Sequence, residues 1–239
     1  MALAALAVVL AGCNQSFRFE NNPGATKQGQ YIYRMFVGFD ITALVVGALV
    51  WALIFWCVLR YRRRRADEMP RQTRYNLPWE VVYTLGPVLV VGGLFGITFV
   101  GENYVDHVTA NPDQKLAVTA FQWGWKFDYT LPDGRHAVVV SEPQRYATIE
   151  LPLQETTRVT LVSDDVVHSF FIPAFDFQRY AQPGITNVFD FTPTVGGRFT
   201  GRCNFLCGLH HSLMIFYVKT VPASQFNTWV QQQASKAAA

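Results

Sequence analysis

Two thiols, two imidazoles and a thioether fall within twelve residues of this chain: Cys203, Cys207, His210, His211 and Met214. A further imidazole, His168, stands upstream in Asp165-Val-Val-His168-Ser169. Thiolate, imidazole and a weak thioether together suit copper, and a single-copper electron-transfer site uses one Cys, two His and an axial Met. Here two cysteines lie four apart on one loop. A pair of thiolates can bridge two metal ions, so the second Cys makes a dinuclear site possible where one Cys would make a mononuclear one. Two blander uses compete with this. A Cys203–Cys207 disulfide suits an oxidising compartment but leaves His168, His211 and Met214 without a shared purpose. Zinc takes Cys and His, and Met argues against it. All three stay open on the residues alone.

The scaffold that holds these residues reads as β structure. Short apolar or alternating runs recur at 116–122, 125–131, 137–140, 146–153, 157–162, 185–191, 198–203 and 213–221. They are rich in β-branched and aromatic residues and are separated by turn signals such as Pro132-Asp133-Gly134 and Pro183-Gly184. Such spacing predicts a sandwich or barrel, and about 100 residues suffice for one core. The tail from Ser224 to Ala238 predicts a short helix with Ser224 as its N-cap.

Ahead of this domain lie two uncharged stretches, Ile41–Leu59 and Val81–Gly101. At about 1.5 Å per helical residue each matches the roughly 30 Å hydrocarbon layer. Residues 60–80 between them hold seven Arg against Asp67, Glu68 and Glu80. A basic loop is retained in the cytoplasm, so both ends of the hairpin are expected outside. The first residues form an apolar run ending Leu10-Ala11-Gly12-Cys13, which resembles a bacterial lipobox and implies cleavage before Cys13 and a lipid on its sulfur. No Lys or Arg precedes that run, a departure from the usual export signal. Only 15% of residues are charged and the net charge is +3, which weighs against a wholly soluble chain and against nucleic-acid binding. Four cysteines in 239 residues make no disulfide framework. Asp40 reads as a helix-end residue, Cys57 as a lipid-facing or helix-packing one, and His107 and His136 show no partner pattern.

The Cys-x3-Cys-x3-His-x2-Met spacing of Cys203, Cys207, His211 and Met214, together with Asp165-x2-His168-Ser169, resembles the CuA domain of cytochrome c oxidase subunit II. Gln122-Trp123-Gly124-Trp125 and Glu80-Val-Val-Tyr-Thr84-Leu-Gly-Pro87 are similar to two further segments of that family. The lipobox and the Arg74-Tyr-Asn-Leu-Pro78 approach to the second span resemble its actinobacterial members. The resemblance implies a two-helix transmembrane hairpin followed by an all-β, cupredoxin-like Greek-key barrel. Its boundaries are a signal peptide over 1–12, a lipidated tether over 13–32, the hairpin over 33–104, the copper domain over 113–222 and a helix with tail over 223–239.

By the same resemblance the chain is the subunit of an oxidoreductase in the bacterial plasma membrane, with its N-terminus and copper domain on the extracytoplasmic side. It takes electrons from a c-type cytochrome at a dinuclear CuA centre. They pass on to haem in subunit I, where dioxygen is reduced to water with proton pumping; subunit III and membrane lipid are further partners. Cys203 and Cys207 then bridge two coppers, His168 and His211 each ligate one, Met214 is a weak ligand, and Phe205 contributes its backbone carbonyl. Trp123 is where electrons arrive, Trp125 is core, and Glu80 stands at the mouth of a proton-uptake channel. Its rival role is that of a carboxylate at a helix start. His210 is expected beside the metal set rather than in it. Asp164, Asp165 and Asp176 are candidate steering acids for a basic cytochrome.

The chain departs from the family pattern in one region. The family usually has Glu at position 205, and its carboxylate reaches a Mg2+ at the subunit I interface; Phe205 has no side-chain oxygen. Gln178 and Tyr180 stand where relatives often carry Lys and Asp. A different class of function, a membrane-anchored copper-binding or copper-delivery protein without an oxidase partner, would share the copper ligands without needing Glu80 or the paired tryptophans. Copurification of haem separates the two.

Overall fold

The computed structural model describes residues 23–63, 69 and 72–237, so Cys13 and the signal segment lie outside the described residues. The described residues form two compact units, one within 34–102 and one of residues 23–33 together with 103–237.

The first unit is helical. Helix α1 runs Lys27–Arg60 and α2 runs Leu77–Val105. Each carries an 18-residue window of mean hydropathy 2.5 or 1.9 that is long and apolar enough to cross a membrane. Neither has a polar face within its window: Leu49, Leu53, Trp56, Val82, Leu89 and Phe99 are all exposed. A helix apolar on every side has to find lipid or protein around it. Thr42 and Thr98 donate their hydroxyls to the carbonyls of Gly38 and Leu94, which removes the only polar atoms those residues would show. At the start of α2 the Glu80 carboxylate accepts the Asn76 N–H at 2.9 Å, satisfying a donor that the helix itself leaves free.

The second unit is built from ten strands: β1 Gln114–Phe121, β2 Gly124–Thr130, β3 His136–Ser141, β4 Thr148–Pro152, β5 Thr157–Ser163, β6 His168–Ile172, β7 Phe177–Ala181, β8 Asn187–Phe191, β9 Gly197–Cys203 and β10 Ile215–Val221. They form two five-stranded sheets, ordered β3-β2-β1-β5-β8 and β4-β10-β9-β6-β7. Most neighbours are antiparallel, with parallel pairs β1–β5 and β4–β10. The period of two decides which side chains enter the core: β5 buries Thr157, Val159, Leu161 and Ser163 and leaves the residues between them partly exposed. The inner faces meet around aromatic rings. Phe170 stacks on Phe216 at 5.1 Å, and Trp125 meets both edge-on at 5.6 Å. Gly201 on β9 is required there, since a Cβ would stand 2.1 Å from the Phe216 ring.

Strands β6 and β7 have no counterpart among the runs read from the sequence. Four of the five β6 residues are buried, so it shows no alternation, and β7 is a mixed edge strand, Phe-Gln-Arg-Tyr-Ala. The second half of the expected tether is also structured. Ala25 N–H donates to Ala174 O at 2.7 Å, Thr194 N–H donates to Ala25 O at 2.8 Å, and Thr26 bridges to Pro193. Thr26 then caps α1, its hydroxyl accepting the Gly29 N–H at 3.0 Å. The C-terminal helix α3 spans Ala223–Ala237, so Ser224 lies in its first turn and the Pro222 carbonyl, rather than a serine hydroxyl, accepts the Gln225 and Phe226 N–H groups.

Asp176 closes the turn into β7 with φ 50° and one carboxylate oxygen buried without a partner. Burial raises its carboxyl to about 6. A carboxyl whose folded value lies above its unfolded one favours the fold while protonated, and the cost of ionising it develops as pH rises from about 4 through about 6. Asp176→Asn keeps the left-handed backbone preference and removes that cost. It is expected to stabilise the chain by about 1 kcal/mol at pH 8, after allowance for partial solvation, and by nothing at pH 4. Thermal melts at the two pH values check this, and an equal shift at both would refute it.

Candidate metal centre

The donors converge from β6, the end of β9 and the loop before β10. The Phe170–Cys203 and Phe171–Arg202 pairing of β6 with β9 brings His168 to Cys203. Cys203 N–H donates to Met214 O at 3.0 Å, closing the loop that carries Cys207 and His211. Within it Gly208 has φ +117°, and an added Cβ would stand 3.0 Å from the Trp123 ring, so the turn needs glycine on both counts.

Cys207 Sγ is the hub. It lies 3.8 Å from Cys203 Sγ, 3.6 Å from His211 Nδ1 and 3.3 Å from Met214 Sδ. Cys203 Sγ lies 4.0 Å from His168 Nδ1 and 3.2 Å from the Phe205 carbonyl oxygen. A disulfide holds its sulfurs about 2.05 Å apart, so these are free thiols and the disulfide alternative is removed. Two sulfurs each about 2.3 Å from a shared metal, at a tetrahedral angle, stand about 3.8 Å apart. His168, Cys203 and Cys207 are the one group of metal-capable side chains with ligand spacing among the described residues, and all three are buried. The spacing therefore suits a shared metal ion, and the soft sulfur and imidazole donors fit copper by their chemistry.

The protonation pattern is asymmetric. Burial drives a thiol upward, and at Cys207 this is reinforced by the neighbouring Cys203, which together push it up to about 12. At Cys203 burial is outweighed by the His168 imidazole and by the backbone at Phe205 and Ser169, which bring it down to about 6. For His168, burial favours the neutral ring, but Cys203 and Asp165 prevail and hold it above the ordinary value.

Asp165 makes the link that the sequence alone does not expose. One carboxylate oxygen meets His168 Nε2 at 2.8 Å, and the other accepts the Gln122 N–H at 2.6 Å. Holding Nε2 leaves Nδ1 facing Cys203. Burial opposes charge on this carboxylate, yet His168 and the Val166 and Gln122 N–H groups keep it below the ordinary value. Asp165 is thus hydrogen-bonded into the site while its residue stays exposed, and Asp176 is partly buried.

Trp123 is half-buried. Its Nε1–H donates to the Cys207 carbonyl at 3.1 Å, and the Gln122 side-chain amide donates to the same oxygen at 2.8 Å. The His210 ring meets Trp123 edge-on at 4.8 Å, whereas His211 faces Cys207. Trp125 is fully buried and donates to Met214 O at 3.3 Å. Glu80 belongs to the helical unit and is not part of this cluster. His136 pairs with Asp128 at 2.8 Å, and Cys57 is exposed on α1.

Residues 115–221 match the model of the family "Cytochrome C oxidase subunit II, periplasmic domain". A probable cytochrome c oxidase subunit 2 of Streptomyces coelicolor is 34% identical over 88% of this chain and 77% of its own length. Cytochrome c oxidase subunit 2 of Mycobacterium tuberculosis is 30% identical over 97% of this chain and 80% of its own. Among solved structures, the periplasmic domain of subunit II of cytochrome oxidase of Bradyrhizobium japonicum is 29% identical, aligning all of that chain to 55% of this one with a TM-score of 0.49. Two helices able to cross a membrane, a buried His-Cys-Cys cluster in a β domain, and relatives matched over most of the chain agree: the chain belongs to the cytochrome c oxidase subunit II family and is a membrane-bound oxidoreductase subunit.

Proposed function

We propose that this chain takes electrons from a c-type cytochrome and delivers them to haem in subunit I, where dioxygen is reduced to water with proton translocation, with subunit III completing the complex. The observation that carries this reading is the convergence of Cys203, Cys207, His168, His211, Met214 and the Phe205 carbonyl on one buried spot. These six would hold a pair of copper ions. Bound there, copper would supply the uptake and release of one electron. The protein's part is to keep the donors still. Asp165 fixes the outer nitrogen of His168, Trp125 and the Cys203 N–H hold the Met214 carbonyl, and Gln122 and Trp123 clamp the Cys207 carbonyl. Trp123 is the proposed point of electron arrival, since its indole is bonded to the backbone of a metal-binding cysteine.

Glu80 is proposed to serve proton uptake from the start of the second span, where an ionisable group at a membrane edge is functional by default. The arginine-rich loop supports a cytoplasmic hairpin turn, with the copper domain and a lipidated Cys13 on the outer face of the bacterial plasma membrane. The proposed division is a signal over 1–12, a tether over 13–32, the hairpin over 33–104, the copper domain over 113–222 and the terminal helix and tail over 223–239.

The test is copper content together with the EPR spectrum of the purified chain. Two Cu per chain with a multi-line mixed-valence signal are expected; one Cu with an ordinary four-line pattern would overturn the dinuclear reading. Uptake should also depend on pH. A thiol that holds its proton up to about 12 releases it to the metal, so apparent copper affinity should rise by about tenfold per pH unit between about pH 6 and 9. Competition titrations at fixed ionic strength measure this, and a flat profile would remove Cys207 from the ligand set.

A further inference from the structure

The departures at positions 178, 180 and 205 are far apart in sequence but meet in one corner. Gln178 and Tyr180 alternate along β7, paired with Phe171 and Ser169 of β6. The loop after β9 brings Asn204 and Phe205 against them. The Phe205 and Tyr180 rings pack edge-to-face, centroids 5.5 Å apart at 87°. Asn204 Nδ2 donates to Gln178 Oε1 at 2.8 Å, tying the two neutral amides together. Asn187 holds the β7 backbone there by donating to the Tyr180 carbonyl at 2.6 Å.

A Mg2+ needs near-octahedral oxygen ligation, and protein sites supply it with one or two carboxylates. Residues 178, 180, 204 and 205 offer two aromatic rings and a neutral amide pair, and no carboxylate. Leu206 beside them is 77% exposed, so the surface continues as apolar rather than acidic. The Phe205 carbonyl points at Cys203 Sγ and belongs to the metal loop. The residues present therefore do not fit the Mg2+ that the family places beside this loop.

We infer that this chain contributes no ligand to a divalent cation at that corner, and that the Phe205–Tyr180 aromatic pair, with the Gln178–Asn204 amide pair, closes it instead. The departures at 178, 180 and 205 act as one replacement: a charged contact with the haem-bearing subunit is exchanged for an uncharged one made of two aromatic rings and an amide pair. The inference rests on the reading of the Cys203–Met214 loop as the copper site.

The experiment uses the purified holo-oxidase, stripped with chelator, re-equilibrated with Mn2+ and desalted. Wild type is expected to retain no Mn2+ whose EPR relaxation changes when the copper centre is reduced. Phe205→Glu restores a carboxylate and is expected to raise such Mn2+ at least about fivefold, toward one per copper pair. Should Phe205→Glu fail to assemble, Asn204→Asp breaks the amide pair and places a carboxylate in the same corner for the same reading. Wild type that holds one copper-sensed Mn2+ per complex, with no gain in either variant, would overturn the inference. Copper content and the mixed-valence signal, read on the same samples, report on the copper centre itself, so its failure is told apart from failure of this proposal.

Discussion

Replacing Cys207 by serine is expected to abolish the paired-copper signal and to lower cytochrome oxidation by the assembled oxidase at least about a hundredfold, equivalent to about 2.7 kcal/mol of activation free energy. The size follows from the position of this one sulfur. It stands 3.8 Å from Cys203 Sγ, 3.6 Å from His211 Nδ1 and 3.3 Å from Met214 Sδ, so three other donors lose their common neighbour at once. A serine hydroxyl is a hard, neutral donor that does not bridge soft metals. The β domain should survive, because the core around Trp125, Phe170 and Phe216 does not depend on the thiol. Circular dichroism should therefore stay unchanged while copper falls below two per chain. A Cys207→Ser chain with two Cu and the wild-type spectrum would sink the assignment.

Trp123→Phe is the second large effect, and it should separate arrival of the electron from its onward transfer. The indole N–H donates to the Cys207 carbonyl at 3.1 Å, a link that phenylalanine cannot make. Turnover with reduced cytochrome is expected to fall about tenfold to a hundredfold, or about 1.4 to 2.7 kcal/mol in the barrier. Transfer from the reduced copper centre to haem, started by a light pulse, should keep its wild-type rate. The cost to folding should be modest, about 1 kcal/mol for one neutral hydrogen bond. Gln122→Leu is the control: it removes the other donor to the same carbonyl, at 2.8 Å, and leaves the indole in place. It should shift the copper spectrum slightly and spare turnover. Equal losses in both variants would mean that the clamp on Cys207, rather than the indole, is what matters.

Much of this was legible in the chain. Cys203, Cys207, His211 and Met214 are close in sequence, and short-range spacing of donor types is a local property. The two spans were legible because an uninterrupted apolar run needs no partner to be recognised, and eight of the ten strands announced themselves through alternation or turn residues. Of the two that did not, β6 carries His168 of the donor set and β7 forms the corner beside it. In β6 four of the five residues are buried and Phe171 is partly so, and His168 and Ser169 therefore open a strand that has no polar face to mark it. In β7 the edge position relaxes the pattern, and the sequence Phe-Gln-Arg-Tyr-Ala reads as loop.

The donor set, the membrane helices and the β character of the outer domain were thus determined by residue type and spacing alone. Tertiary structure decided what those donors meet. Pairing of β6 with β9 joins His168 to a cysteine 35 positions away and leaves the sulfurs unbonded to each other. It also makes the exposed Asp165 the brace between His168 and the Gln122–Trp123 turn, and it gathers Gln178, Tyr180, Asn204 and Phe205 into one corner. These contacts depend on strand register across two sheets, where a shift of one residue would send every side chain to the opposite face. No local pattern in the chain encodes that alignment; only the packed aromatic core, acting on all the strands together, selects it.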